Sequence, residues 1–306
     1  MQGATHDTRA AATRPRDPAT MAAPDAEALE VAPTWRGLGL ETMASLLILS
    51  LRRLGPRGFE AWCQWPRHHP LNERATAVTH HPLIMVESVR QIAAALELHH
   101  LPRAVSALEP DSIRWGVSPQ AQPCERGVAT AVLVRVAVGD VMLDAGRLAG
   151  YRVFADFLHS GLRFGSCTIR TAVRQGAATP GIHSGHGLLY PAAAAVGAAA
   201  EPDVMLGRAP RGRLVIAPRD PCHPVLTCGR SSCLPAAAVL EAGRQAALLS
   251  CGMTAAAVSG LSVDILGPVP YAGAFVDVTS QPLGRRFVVL TRGQAVAVGT
   301  VGLLRP

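Results

Sequence analysis

The chain has 306 residues, enough for two domains that each bury a core of their own. Hydrophobic residues make up 49% and charged residues 17%, which excludes an intrinsically disordered protein. The net charge is +7 and all 29 basic residues are Arg. Schiff-base chemistry by a lysine is therefore excluded, and a bound phosphate or carboxylate must be held by guanidinium groups or backbone N–H groups.

The basic balance does not by itself point to nucleic acid. The Arg residues are scattered, aromatic residues are 4%, and no helix-turn-helix, zinc-finger or RNA-binding aromatic spacing is present. The longest apolar runs, such as MASLLILSL, are too short to span a bilayer, and the first twenty residues are polar where a secretory signal would be apolar. The seven Cys are odd in number and follow no disulfide framework. The expectation is a cytoplasmic protein with reduced thiols, with neither nucleic acid nor membrane as a partner.

In chain order, residues 1–30 are rich in Ala, Thr, Pro and Arg without periodicity and read as a disordered tail. A first domain is expected over 31–174, an Ala/Gly/Pro-rich linker over 175–202, and a second domain over 203–306. Each domain opens with an extended stretch ending in His-Pro, at His69-Pro70 and at His223-Pro224. A long apolar helix started by Pro follows, over 82–100 and over 235–251. After the first helix, ATAVLVRVAV, GRLAGYRVFADFL and FGSCTIRTAV read as strands. After the second, SGLSVDIL, AFVDVTSQ, RRFVVLTRG and AVAVGTVGLL do so.

The two domains share more than their order. VESVRQ at 86–91 and LEAGRQ at 240–245 both carry Glu-x-x-Arg-Gln at an offset of 154 (241 − 87 = 154), and the His-Pro pairs repeat in the same register. A periodic match of this kind marks a duplicated unit. One apolar helix wrapped by an antiparallel sheet, twice over, is an α+β arrangement: a tandem double hotdog. Helices that are apolar nearly all round fit burial under a curved sheet.

On each helix the Glu, the Arg three residues on and the Gln four residues on share one face. The bland reading is a local ion pair of about 0.2–1 kcal/mol at a solvated surface. The apolar surroundings argue for burial instead, where a charge must be paired or face a polar cavity. Two possible metal signals are weak. His183 and His186 form an isolated H-x-x-H in the linker, and Cys222, Cys228 and Cys233 stand in CHPVLTCGRSSC at spacings looser than those of zinc sites. No metal or other cofactor is implied.

Residues 31–306 resemble the A-factor biosynthesis hotdog family, the AfsA-like γ-butyrolactone synthases. The matching stretches are LRRLGPRGFEAWCQWPRHHPL, HPLIMVESVRQ, GRLAGYRVFADF, DVMLG, PRDPCHPVL and LPAAAVLEAGRQAALL, in that order. The resemblance implies two hotdog domains packed as a monomeric pseudo-dimer. It implies transfer of a β-ketoacyl chain from acyl carrier protein to dihydroxyacetone phosphate, for a signalling lactone that controls antibiotic production. By the same resemblance Glu87 is the general base, Arg244 the phosphate or oxyanion group and Glu241 its orienting partner. Arg90, Gln91, Gln245 and Cys233 are the remaining candidates for substrate binding. One departure stands out: where the family has Asp-His before its second helix, this chain has Ser232 and Cys233. Another thioester enzyme on the same fold, a dehydratase or thioesterase, and a catalytically degenerate acyl-binding homologue are the alternatives.

Overall fold

The computed structural model describes residues 30–72, 80–124, 128–173, 187–227, 233–253 and 258–304. Residues 1–29 of the expected tail, His183, His186, Cys228 and Ser232 lie outside the described residues, while Glu30 belongs to the first strand.

The first half begins with three strands, β1 (Glu30–Val31), β2 (Ile48–Arg53) and β3 (Gly58–Trp65). Helix α1 (Leu83–His99) comes next, then β4 (Leu108–Val117), β5 (Thr130–Asp144), β6 (Arg147–His159) and β7 (Leu162–Val173). The second half runs β8 (Leu206–Arg208), β9 (Leu214–Ile216), α2 (Ala236–Cys251), β10 (Val258–Ile265), β11 (Ala274–Gln281), β12 (Gly284–Thr291) and β13 (Gln294–Leu303).

All these strands join one antiparallel sheet of order β1-β2-β3-β5-β6-β7-β4-β10-β13-β12-β11-β9-β8. Strands β4 and β10 form its central seam, with Trp115 opposite Leu261 and Ile113 opposite Val263. Outward from the seam the chain orders correspond: β7, β6, β5, β3 and β2 on one side, β13, β12, β11, β9 and β8 on the other. The seam also carries polar ties on the outer face, where Ser112 Oγ donates to Asp264 Oδ1 at 2.7 Å.

Both helices lie within a residue or so of the expected ranges. Pro82 and Pro235 stand immediately before them, and α2 stops at Gly252, whose φ of 66° is the left-handed conformation a helix C-terminus favours. Helix α1 packs on β2, β3, β4, β6 and β7, and α2 on β4, β8, β10, β11, β12 and β13. That enclosure explains why neither helix shows a broad polar stripe. The two helices also touch each other, beneath the seam.

Strand β4 is a difference from the sequence expectation, which places no strand over LEPDSIRWGV. Its Pro110 removes a ladder donor, and the register with β7 shifts between Pro110 and Ser112, so the alternation that marks the other strands is broken here. The expected linker is also not merely a spacer. Its described part includes Val196 and Ala198, buried with Val204 in a small cluster against Leu249 of α2.

Candidate functional site

The Glu-x-x-Arg-Gln units of α1 and α2 build the same network twice. In α1, Arg90 Nε and Nη2 each donate to the Glu87 carboxylate at 2.7 Å, and Gln91 Nε2 donates to Glu87 Oε1 at 2.8 Å. In α2, Arg244 Nε donates to Glu241 Oε2 at 2.8 Å and Nη2 to Oε1 at 2.6 Å, while Gln245 Nε2 donates to Oε1 at 2.7 Å. Both glutamates are buried. The spacing on one helical turn makes these contacts local, and the surrounding sheet buries both carboxylates.

The glutamines do a second task. Gln91 Nε2 also donates to the Ser45 carbonyl, and its Oε1 accepts from Leu47 N–H at 2.8 Å. Gln245 Nε2 likewise donates to the Asp203 carbonyl, and its Oε1 accepts from Met205 N–H at 2.8 Å. Each amide thus ties its helix to the backbone of the segment that precedes β2 or β8. Both side chains are fully buried, with their amide groups bonded to backbone and to the glutamate of their own helix.

The arginines differ. Arg90 is 30% exposed along its side chain, whereas Arg244 is 0% exposed. Arg244 Nη2 reaches across to the Gly197 carbonyl at 2.8 Å, so the expected linker helps to hold it. Its remaining nitrogen, Nη1, is buried without a hydrogen-bond partner among the described residues. An uncommitted NH2 on a buried guanidinium is costly unless an oxygen is brought to it.

Histidines gather around this arrangement. His81, just before α1, directs Nε2 toward Glu241 Oε2 of α2 at 3.7 Å, while its Nδ1 accepts from Leu83 N–H at 3.2 Å. Burial pushes its pKa down to about 4, against the pull of Glu241, so the ring is neutral near pH 7. His80 is held by Asn72 Nδ2 at 3.1 Å and Thr130 Oγ1 at 2.7 Å, and burial lowers its pKa to about 4 as well. His223 contacts Asp203 Oδ1 through Nε2 at 3.0 Å. Burial would raise the Glu241 pKa, but Arg244, His81 and Gln245 together hold it below the ordinary glutamate value.

These facts sort the sequence candidates. Glu241 and Arg244 come together, as do Glu87 and Arg90, and His81 joins the α1 side to the α2 pair. Cys233, two residues before Pro235 at the start of α2, is 3% exposed and forms an isolated antiparallel bridge with Pro270. Burial of that kind is the setting of a structural thiol. The roles of His80, His81 and Asp203 escaped the sequence reading. The His-Pro repeat and the HHPL run before α1 were the available signals. Among the described residues no group of three or more His, Cys, Asp or Glu is arranged to hold a metal ion. No helix there is long and apolar enough to cross a membrane.

Neither a family model nor a curated protein matches the chain, so the likeness to γ-butyrolactone synthases rests on the residues quoted above. Solved structures with a related shape include the bifunctional dehydratase-cyclase domain of ambruticin biosynthesis, at 17% identity and TM-score 0.46, covering 85% of this chain and 95% of that one. The dehydratase domain from the terminal module of the rifamycin polyketide synthase is 14% identical at TM-score 0.43, covering 88% and 99%. HtdX of Mycobacterium tuberculosis is 13% identical at TM-score 0.41, covering 72% and 86%. Likenesses this distant leave the chemistry to be argued from the side chains.

Proposed function

We propose that the chain is a tandem double hotdog enzyme of acyl thioesters, with its chemistry where the start of α1 meets α2. The observation that carries this reading is Arg244, wholly buried, fixed by Glu241 and Gly197, and holding Nη1 uncommitted. A preorganised donor of that kind suits the oxygen of a thioester carbonyl, on which negative charge develops during acyl transfer. Glu87 is the proposed base. Its two oxygens accept three hydrogen bonds, and a carboxylate has about four lone-pair positions, so one is left for an incoming hydroxyl. The corresponding side of Glu241 faces His81.

In this mechanism a hydroxyl oxygen attacks the thioester carbon as Glu87 takes its proton. The carbon–oxygen bond forms and the carbonyl electrons move onto the oxygen held by Arg244. Collapse breaks the carbon–sulfur bond, and the leaving thiolate recovers the proton from Glu87. The finer reading, implied by the sequence resemblance, takes dihydroxyacetone phosphate as the hydroxyl and a β-ketoacyl carrier protein as the donor. A second reading has specific support too. Arg244 is the only arginine among the described residues that is buried, and one guanidinium with a single open NH2 suits a carbonyl better than a phosphate dianion. Hydrolysis or dehydration of an acyl thioester then takes the place of transfer.

The test is mass spectrometry of purified protein with β-ketoacyl and β-hydroxyacyl thioesters of a carrier protein, with and without dihydroxyacetone phosphate. A phosphorylated ester supports the synthase, and free acid or enoyl thioester supports the second reading. In either case Arg244→Ala and Glu87→Gln abolish product. Turnover unaffected by both substitutions overturns the site, and no turnover of any thioester overturns the enzyme reading.

A further inference from the structure

The two His-Pro pairs adopt one local geometry and then diverge. His69 Nδ1 accepts from Leu71 N–H at 3.3 Å, and His223 Nδ1 accepts from Val225 and Leu226 N–H at 3.2 and 3.0 Å. A ring nitrogen that accepts is unprotonated, so in each neutral ring the proton sits on Nε2. The same assignment holds for His80 and His81, whose Nδ1 atoms also accept. Two of these four Nε2 atoms hydrogen-bond a side-chain oxygen, Thr130 Oγ1 for His80 and Asp203 Oδ1 for His223, and that of His81 stands 3.7 Å from Glu241 Oε2. His69 Nε2 is buried and has no hydrogen-bond partner among the described residues.

The cause is one side chain. Gln245 fixes the backbone of Asp203 and Met205 in the second half as Gln91 fixes that of Ser45 and Leu47 in the first. Ser45 therefore occupies the structural place of Asp203, but carries a hydroxyl where the second half carries a carboxylate. That hydroxyl is engaged with Thr42 Oγ1 at 3.0 Å. The nearest backbone acceptor is the Ser45 carbonyl, which favours the protonated His69 ring but is shared with Gln91 and falls short of full hydrogen-bond geometry with Nε2. His69 is 1% exposed, so bulk water does not replace the missing acceptor.

We infer that His69 Nε2–H is a substrate-binding donor, left open by Ser45, while its counterpart His223 is locked by Asp203 for structure. The acceptor it suits is an uncharged or partly charged oxygen such as a thioester or β-keto carbonyl. This assignment rests on the thioester reading above, and it divides labour between the two halves: Arg244 from the second and His69 from the first.

The decisive experiment rebuilds the second-half pair in the first. Ser45→Asp gives His69 an acceptor, so the melting temperature rises by a few degrees while turnover of the thioester falls on the order of a hundredfold, as when an oxyanion donor is removed. The rise is absent in a His69→Gln background, because the coupling runs through that ring. In the wild-type protein the Hε2 proton resonance of His69 shifts when short- and medium-chain acyl-pantetheine thioesters are added, and that of His223 stays. A bound thioester that leaves His69 Hε2 unmoved overturns the inference even if Ser45→Asp fails to fold. Should the wild-type protein bind no thioester, the enzyme reading fails separately. The open donor is then judged by the coupling between positions 45 and 69, and no coupling overturns it.

Discussion

His81 Nε2 lies 3.7 Å from Glu241 Oε2, and this approach links the entry to α1 with the middle of α2. It places a neutral imidazole beside a carboxylate that Arg244 already neutralises. Burial disfavours a charged His81 there, and the neighbouring Arg244 guanidinium adds to that against the pull of Glu241, so the ring resists titration.

The pH dependence of stability follows from that resistance. His69, His80 and His81 are each lowered from 6.5 to about 4, chiefly by burial. Between those values the unfolded chain binds protons that the folded chain refuses, so folding stability falls as pH drops from about 6.5 to about 4. Each histidine alone removes roughly 2 kcal/mol at pH 5, by the linkage relation. Urea unfolding midpoints measured across this window should decline steadily while those from pH 7 to 8 stay level. A flat profile between pH 6.5 and 4.5 would show that these rings titrate freely.

The two glutamates should differ in stability when neutralised, although their local bonds match. Glu241→Gln strands Arg244, which is fully buried, and costs about 3–5 kcal/mol. Glu87→Gln leaves Arg90, which is 30% exposed and can turn to solvent, and costs about 1–2 kcal/mol. Denaturant titration of both variants measures the gap, and equal losses would contradict the difference in burial.

How much of this was legible follows from what each feature depends on. Helices α1 and α2 were readable because a long apolar run behind a Pro has few other structures open to it. The Glu-Arg-Gln networks were readable because their partners sit within one helical turn. Strand β4 was hidden by Pro110 and the polar residues after it. The contrast between His69 and His223 was hidden for another reason. Ser45 and Asp203 are not 154 residues apart, so the repeat register does not align them, and only their bonds to Gln91 and Gln245 do.

Thiol reactivity separates structural from accessible cysteines. Burial pushes the Cys63 thiol up to about 12 and raises that of Cys167, and Cys233 is enclosed at its bridge with Pro270. Cys124 and Cys222 are exposed. A thiol-specific alkylating reagent followed by peptide mapping should label Cys124 and Cys222 in the native protein. It should reach Cys63, Cys167 and Cys233 only at the rate of unfolding. Rapid native labelling of Cys233 would instead make it a candidate nucleophile.

Gly243 lies between Glu241 and Arg244 on α2, and a Cβ there would come within 2.4 Å of the buried Phe287 ring. A Cβ on Gly299 of β13 would meet the same ring from the sheet side, at 2.2 Å. Phe287 therefore fills a notch that two glycines leave open, and it fixes how closely α2 approaches the sheet. Gly243→Ala forces the helix or the ring to move and should destabilise by about 1–3 kcal/mol. It should also displace Arg244, so that thioester turnover falls even under conditions where the variant is folded. Phe287→Leu added to Gly243→Ala relieves the overlap and should restore part of both losses in a double-mutant cycle. Additive losses in the double variant would mean that the glycine is set by something other than the ring.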